Sequence, residues 1–223
     1  MKISDFISVV GDLEKRQLGD PVFWKTRAKI GDHFLSKPLD RQKISAHFHE
    51  FLSKWASYRH EIDWQKLVNS WGGEQQILAA GLINSHLESA SDLELSKAAS
   101  LFNHLWESSI AGLGTTNISK LLALGLPSIC MMWDQGIMND FKKTNTPPRP
   151  GFRIRTVSTY QKFLLHRRME LNDLITQIQA QRLTSRDQAI IWLRQLPTRV
   201  NSQSHEKPLA KLVDEYYYWE SRR

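Results

Sequence analysis

Apolar residues recur at steps of three and four along most of the chain, and this spacing constrains the fold more than any other feature. The segment from about Leu39 to Tyr58 carries one such stripe, and residues 95–110 carry another. A third stripe follows residue 155, and a fourth ends the chain at residues 209–217. Such spacing places apolar side chains on one face of an α-helix. We therefore expect an all-α helical bundle of about ten helices.

Two further patterns mark where helices begin and where they are interrupted. Ser91 and Glu94 have the spacing of a capping box, which predicts a helix start at this point. Residues 144–151 contain three prolines and a glycine, which cannot continue a helix. This segment divides the chain into a helical region at residues 1–143 and a C-terminal region at residues 152–223. The one strand-like alternation, at residues 152–157, has little weight.

Composition excludes several classes of protein. The chain has 223 residues and a single cysteine, Cys130, so disulfide frameworks and four-cysteine iron–sulfur clusters are excluded. The most apolar stretch, residues 121–133, contains Pro127 and is too short to span a bilayer. No N-terminal segment has the pattern of a signal peptide. We expect a cytoplasmic monomer that has no contact with a membrane.

Positive charge is concentrated in the last third of the chain. The net charge is +3 over residues 1–62, −5 over residues 63–140 and +9 over residues 141–223. This distribution indicates a basic surface for a polyanion, and a solvated arginine-rich surface is the alternative. Arg153 and Arg155 are the first residues of a basic group that is a candidate for contact with a nucleic-acid backbone. The others are Lys162, Arg167 and Arg168.

A glycine-rich corner separates two of the expected helices and has the chemistry of a phosphate-binding turn. Gly112, Leu113 and Gly114 lie between a helix that ends near Ile110 and another that begins near Thr115. Glycine lets a backbone approach another molecule closely, and a helix start offers free N–H groups to an anion. Thr115 and Thr116 add hydroxyl donors, and Lys120 adds a charge one turn later.

This corner resembles the helix-hairpin-helix motif, in which a Gly–apolar–Gly turn grips the DNA backbone. The helix-hairpin-helix DNA glycosylases carry a catalytic aspartate about twenty residues after the second glycine, and Asp134 stands at that distance. The resemblance covers the motif at about residues 92–125 and the segment that ends with Trp133 and Asp134. It implies two helical lobes with a DNA cleft between them, and it suggests that Trp133 lines a base pocket or packs in the core.

The resemblance also implies which branch of that family the chain is most similar to. Thr116 stands where the bifunctional members have their Schiff-base lysine, and the cluster cysteines of other members are absent. We therefore expect a monofunctional enzyme, with no metal or other cofactor, that acts on double-stranded DNA. His47, His49 and Glu50 are close in sequence but lie on different sides of a helix, which argues against a metal site.

One carboxylate suits the chemistry of base removal. Cleavage of an N-glycosidic bond builds positive charge on the sugar, which a fixed anion such as Asp134 stabilises in the transition state. The target base must first be flipped out of the duplex. The leading hypothesis is a DNA glycosylase for a damaged or modified base, in repair or in defence against modified phage DNA. A non-catalytic DNA-binding protein and a helical interaction protein without a nucleic-acid role are the alternatives.

Overall fold

This computed structural model describes residues 1–15, 21–55, 60–133, 157–201 and 204–220, and all the regular secondary structure within them is helical. Within these ranges there are eleven α-helices, one 3-10 helix at Phe34–Ser36, and no β-strand. The α-helices are α1 (Ile3–Lys15), α2 (Pro21–Ile30), α3 (Arg41–Lys54), α4 (Trp64–Ser70), α5 (Gly73–Ala80), α6 (Asp92–Glu107), α7 (Thr115–Gly125), α8 (Val157–Arg182), α9 (Arg186–Arg194), α10 (Leu196–Val200) and α11 (Leu209–Glu220). The all-α prediction is confirmed for these residues. The proline-rich segment 144–151 and the strand-like residues 152–156 lie outside them.

Polar side chains at the helix starts explain where several helices begin. The Asp40 carboxylate accepts a hydrogen bond from the Lys43 amide (3.0 Å), and the helix predicted from Leu39 therefore starts at Arg41. Ser91 and Glu94 form the predicted capping box, in which the Ser91 amide donates to Glu94 (2.8 Å) and the Glu94 amide donates to Ser91 (3.2 Å). The sequence pattern therefore located the start of α6.

The long helix α8 lies at the centre of the C-terminal half and packs most extensively against α6. Six residues of its predicted stripe are buried, together with Phe163, in the common hydrophobic core: Tyr160, Phe163, Leu164, Leu171, Leu174, Ile175 and Ile178. Helices α9 and α11 pack against other parts of α8. The C-terminal helices therefore share one core with the region that contains α6 and α7.

Both ends of the chain meet in the same part of the molecule. Helix α1 packs against α8, α10 and α11, whereas α2 packs against α3 and α7. An N-terminal helix thus joins the C-terminal helices, as expected for a lobe built from both chain ends, and the division into two lobes with a DNA cleft stays a prediction. None of the described helices is both long and apolar enough to cross a lipid bilayer.

Candidate nucleic-acid interface

The predicted glycine-rich corner is a seven-residue connection between two helices. Helix α6 ends at Glu107 and α7 begins at Thr115, so residues 108–114, which we call the hairpin turn, join them. Ser109 and Gly112 adopt positive φ angles of 49° and 73°, which reverse the chain direction within this short segment. The two helices therefore lie at the predicted positions, and the function of the turn stays a prediction.

Gly112 is required by the packing of the protein itself. A Cβ atom at this position would lie 2.3 Å from the carbonyl oxygen of Glu61, in addition to the strain of the positive φ angle. The turn is held against this neighbouring segment by a hydrogen bond from the Asp63 amide to the Ala111 carbonyl (3.1 Å). Asn117 of α7 also donates to the Gly112 carbonyl (3.2 Å). The first glycine of the motif is thus explained without a ligand.

Gly114 has no such explanation within the described residues. Its φ and ψ angles of −77° and 173° are open to any amino acid, and an added Cβ atom would meet nothing within 4 Å. Gly114 is exposed and occupies the N-cap position of α7, where serine or aspartate would stabilise the helix better than glycine. The space above this residue is open to the close approach of another molecule.

The start of α7 leaves backbone amides without an acceptor among the described residues. The first hydrogen bond of α7 runs from the Ile118 amide to the Gly114 carbonyl (2.9 Å). The amides of Thr115, Thr116 and Asn117 donate to no acceptor among the described residues, and no side chain caps the helix. These amides carry the positive end of the helix dipole, so this helix start suits an anion.

Two residues predicted to touch DNA are instead buried. Lys120 is 2% exposed, and its ammonium lies 5.1 Å from the centroid of the Trp55 ring. It therefore does not extend into solvent beside the hairpin turn, as the sequence had suggested. Leu113 is 4% exposed and belongs to the hydrophobic core. Burial of this apolar side chain is favourable in free energy, so Leu113 anchors the turn to the core.

An exposed lysine that sequence reasoning missed lies beside the turn. The ammonium of Lys66 donates to the Ser109 carbonyl (3.1 Å), while the Lys66 amide donates to the Asp63 carboxylate (2.9 Å) at the start of α4. A cation at this position adds to the positive potential of the turn. No sequence pattern singles it out, because 43 residues separate it from Ser109.

The segment that precedes Asp134 is fastened to both halves of the molecule. The Trp133 amide donates to the Ser119 hydroxyl of α7 (2.8 Å), and the Met132 amide donates to the Asp214 carboxylate of α11 (3.1 Å). The Tyr160 hydroxyl of α8 donates to the Met131 carbonyl (2.8 Å), and burial raises the pKa of this phenol, so it stays a donor. The backbone leading to Asp134 is therefore held close to the second turn of α7.

The Trp133 side chain is part of the hydrophobic core. It is fully buried, and its ring centroid lies 4.3 Å from that of Phe163 and 6.1 Å from that of Tyr160. Of the two roles expected for Trp133, core packing is the one that this arrangement supports.

Three of the predicted residues cannot be placed. Asp134, Arg153 and Arg155 lie outside the described residues.

Two other members of the predicted basic group are engaged within the protein. Arg167 is fully buried and pairs with Glu170 (2.6 Å), and Arg168 binds the Ala90 carbonyl (2.6 Å) and the Asp92 carboxylate (2.7 Å). Neither arginine is therefore presented to solvent as a free cation.

A narrow cleft that the sequence did not predict lies next to residues 131–133. Its volume is about 10 Å³, roughly the space of one water molecule. We call it the Trp55 cleft, and its lining residues are Trp55, Lys120, Met132, Lys211, Asp214, Glu215 and Tyr218. Glu215 is 7% exposed, and within the described structure its Oε1 atom receives no hydrogen bond. The cleft thus combines two aromatic rings with buried charged groups.

The described residues contain no group of three or more histidine, cysteine or acidic side chains that is arranged to hold a metal ion. Glu50, from the sequence cluster with His47 and His49, pairs instead with Lys29 (2.9 Å) and Lys54 (3.1 Å). Hydrogen bonds from these two lysines lower the pKa of the Glu50 carboxyl to about 2.

Comparison of the chain with protein-family models, curated proteins and solved structures finds no match.

Proposed function

We propose that this chain binds double-stranded DNA through the hairpin turn and the start of α7, and removes a modified base by hydrolysis. The observation that carries the proposal is Gly114. It leaves open space above a helix start with three unbonded amides, although a capping residue there would stabilise the helix. A DNA phosphate has the charge and the acceptor atoms that this position lacks.

The hydrogen bonds of residues 131–133 support an assignment of Asp134 as the catalytic residue. Trp133 precedes it directly and is hydrogen-bonded to Ser119, the fifth residue of α7. Ser119 lies four positions after Thr115, which corresponds to about 6 Å along the helix axis. A phosphate bound at the helix start and a sugar beside residue 134 would then be near each other. The Asp134 carboxylate would stabilise the oxocarbenium-like transition state and activate water.

The Trp55 cleft is the place we assign to the flipped base in this mechanism. It borders Met132, and its Trp55 and Tyr218 rings, 4.9 Å apart between centroids, offer apolar surfaces. A nucleobase is much larger than one water molecule, so entry requires these rings to move apart. Two lysines of the described residues, Lys120 and Lys211, line the cleft and are buried against aromatic rings. In the proposed reaction the nucleophile is water activated by Asp134, and no lysine imine forms.

The DNA contact is tested by replacing Gly114 with serine. The serine side chain would cap α7 and occupy the amides assigned to a phosphate, so folding stability should change by only a few tenths of a kcal/mol. Duplex DNA affinity, measured by fluorescence anisotropy, should fall about tenfold, as expected for loss of one charge-assisted hydrogen bond. Affinity of the unmodified protein should also fall steeply between about 50 and 200 mM salt.

Gly72→Ser is the matched control for this substitution. Gly72 is also a glycine at an N-cap, with φ and ψ angles of −87° and −175°, but its amide is already bonded to the Gln75 side chain (3.1 Å). This variant should bind DNA like the unmodified protein. If both serine variants bind DNA equally well, or if the protein binds no DNA at low salt, the assignment of the hairpin turn is wrong.

The catalytic assignment is tested by Asp134→Asn on duplexes with oxidised, alkylated, deaminated or bulky phage-type bases. Abasic sites are detected by alkaline strand cleavage. The variant should bind DNA normally while base release falls about 10²–10⁴-fold, the usual contribution of a general base. Normal base release by the variant would show that Asp134 is not catalytic. Tight DNA binding by the unmodified protein without any base release would instead support a non-catalytic DNA-binding protein.

A further inference from the structure

A second cleft, at the junction of α8, α9 and α10, has a composition unlike that of the hairpin turn. Its volume is about 310 Å³, enough for one or two amino-acid side chains. We call it the Trp192 cleft, and its lining residues are Arg182, Thr184, Gln188, Ile191, Trp192 and Arg199. Among the described residues, its walls thus include two cations and no carboxylate. The cleft is suited to a negatively charged group.

The two arginines lie close to the Trp192 indole ring. The guanidinium carbon of Arg182 lies 4.1 Å from the Trp192 ring centroid, and that of Arg199 lies 6.0 Å from it. The Arg182 side chain makes no hydrogen bond or ion pair with another described residue, and the Arg199 guanidinium donates to the neutral Gln195 side chain (3.1 Å). Their remaining N–H groups are therefore held in place for an acceptor with two oxygens, such as a carboxylate.

Apolar side chains are exposed at the same place. Ile191, in the wall of the cleft, is 52% exposed. Leu183, between two lining residues, is 94% exposed. Leu183 follows the last residue of α8 and has a φ angle of 49°, a position that glycine usually occupies. The chain thus places a large apolar side chain in solvent where a glycine would be less strained. A ligand with both a negative charge and an apolar surface would contact the arginines and these apolar side chains together.

The Trp192 cleft is remote from the proposed DNA site. Tyr160, near the beginning of α8, contacts the segment before Asp134, whereas Arg182 is the last residue of the helix. The 22 positions from Tyr160 to Arg182 correspond to about 33 Å of helix. DNA held at the hairpin turn would leave the far end of α8 available to another molecule.

We infer that the Trp192 cleft is a docking site for a peptide segment of a partner protein, in which an acidic residue adjoins a large apolar one. The carboxylate pairs with Arg182 and Arg199, and the apolar side chain packs on Trp192 and Ile191. Charge complementarity selects an acidic partner, and the exposed leucine and isoleucine favour a peptide over a nucleic-acid backbone, which offers them little apolar surface. This inference does not depend on the glycosylase reaction.

The test is selection of peptides from a random displayed library on the full-length protein. The enriched sequences should pair Asp or Glu with Phe, Leu, Ile or Trp. A selected peptide, synthesised with a fluorescent label, should bind Arg182→Ala and Ile191→Ser about tenfold more weakly than the unmodified protein. Its amide version, with Asn or Gln for the acidic residues, should lose affinity to a similar degree. Arg41→Ala, which removes an exposed arginine from the first turn of α3, is the matched control and should bind normally.

Four results would overturn the inference. The first is a library that yields no enriched acidic–apolar sequences. The second is a selected peptide that binds the Arg182 and Ile191 variants as tightly as the Arg41 control. The third is displacement of the peptide by single-stranded oligothymidylate that itself depends on Arg182, which would identify a nucleic-acid surface. The fourth is concentration-dependent dimerisation in ultracentrifugation that Ile191→Ser abolishes, because the occupant would then be a second copy of the chain. Thermal unfolding verifies that each variant is folded.

Discussion

The hairpin turn and the junction of the two chain ends use polar groups in opposite ways. At the junction, Glu14 of α1 and Glu215 of α11 both bind the Lys207 ammonium, at 2.6 Å and 2.9 Å, and all three residues are at least 93% buried. At the turn, three backbone amides remain without a described acceptor. Buried charges that are paired within the protein serve its folding, whereas amide donors without a partner at a helix start suit an anionic ligand.

The charged residues at the junction come from distant parts of the sequence. Lys207 and Glu14 are 193 residues apart, and Ser204 also donates to Glu14 (2.5 Å). Burial alone would lower the pKa of Lys207, but the charges and hydrogen bonds of Glu215 and Glu14 outweigh it and raise the pKa. The ammonium therefore stays charged and connects the first helix to the last. We call Glu14, Lys207 and Glu215 the terminal junction.

The largest expected effect is on folding, at the terminal junction. Lys207→Met removes the ammonium that two buried carboxylates bind and should lower the free energy of unfolding by about 3–5 kcal/mol. Chemical denaturation followed by circular dichroism measures the change. Lys37→Met, at an exposed lysine, is the control and should change stability by less than about 0.5 kcal/mol. DNA affinity of the folded Lys207 variant should be unchanged. A selective loss of DNA binding would show that the terminal junction does not serve folding alone.

A second ionic group, at the half-buried Glu170 carboxylate, should make folding depend on pH. Burial alone would raise the pKa of the Glu170 carboxyl, but His166, Arg167 and Tyr217 together lower it to about 2. A carboxyl whose pKa is lower in the folded protein stabilises it above the ordinary pKa of 4.5, and this stabilisation is lost as the pH falls towards 2. Glu170→Gln should therefore cost about 3 kcal/mol at pH 7. The difference from the unmodified protein should shrink between about pH 4.5 and 2. A difference that is constant over this range would show that the charge of Glu170 is not the cause.

The smallest expected effects on stability distinguish the two glycines of the hairpin turn. Gly112→Ala forces a Cβ atom against the Glu61 carbonyl at a positive φ angle and should cost about 1–3 kcal/mol of stability. Gly114→Ala meets no atom and should cost less than about 1 kcal/mol, while it weakens DNA binding. Thermal unfolding and anisotropy measure the two effects. Equal stability losses would mean that both glycines serve the fold.

Local patterns in the sequence predicted the helices well. The periodic stripes correspond to α3, α6, α8 and α11, and the Ser91–Glu94 capping box is present. The Gly–Leu–Gly corner does lie between two helices. These features depend on residues within a few positions of each other, so the sequence alone contains the needed information.

The errors concern charged residues that distant parts of the chain enclose. Lys120 was expected in solvent, but the Trp55 ring covers it, and Tyr217 of α11 lies 3.5 Å from the guanidinium of Arg167. Lysine and arginine are rarely buried, so exposure is the reasonable expectation from sequence. Their partners lie about 50 to 65 residues away, and no local pattern indicates them. The Trp55 and Trp192 clefts escaped prediction for the same reason.

The single cysteine of the chain gives an internal probe of the segment before Asp134. Cys130 is 2% exposed, and burial raises the pKa of its thiol to about 12. A thiol reagent can attack it at neutral pH only while the surrounding core is open, since the thiolate is the reactive form. The labelling rate therefore reports how often this region opens. Entry of a base into the Trp55 cleft, next to Met132, should register as a change in that rate without any engineered label.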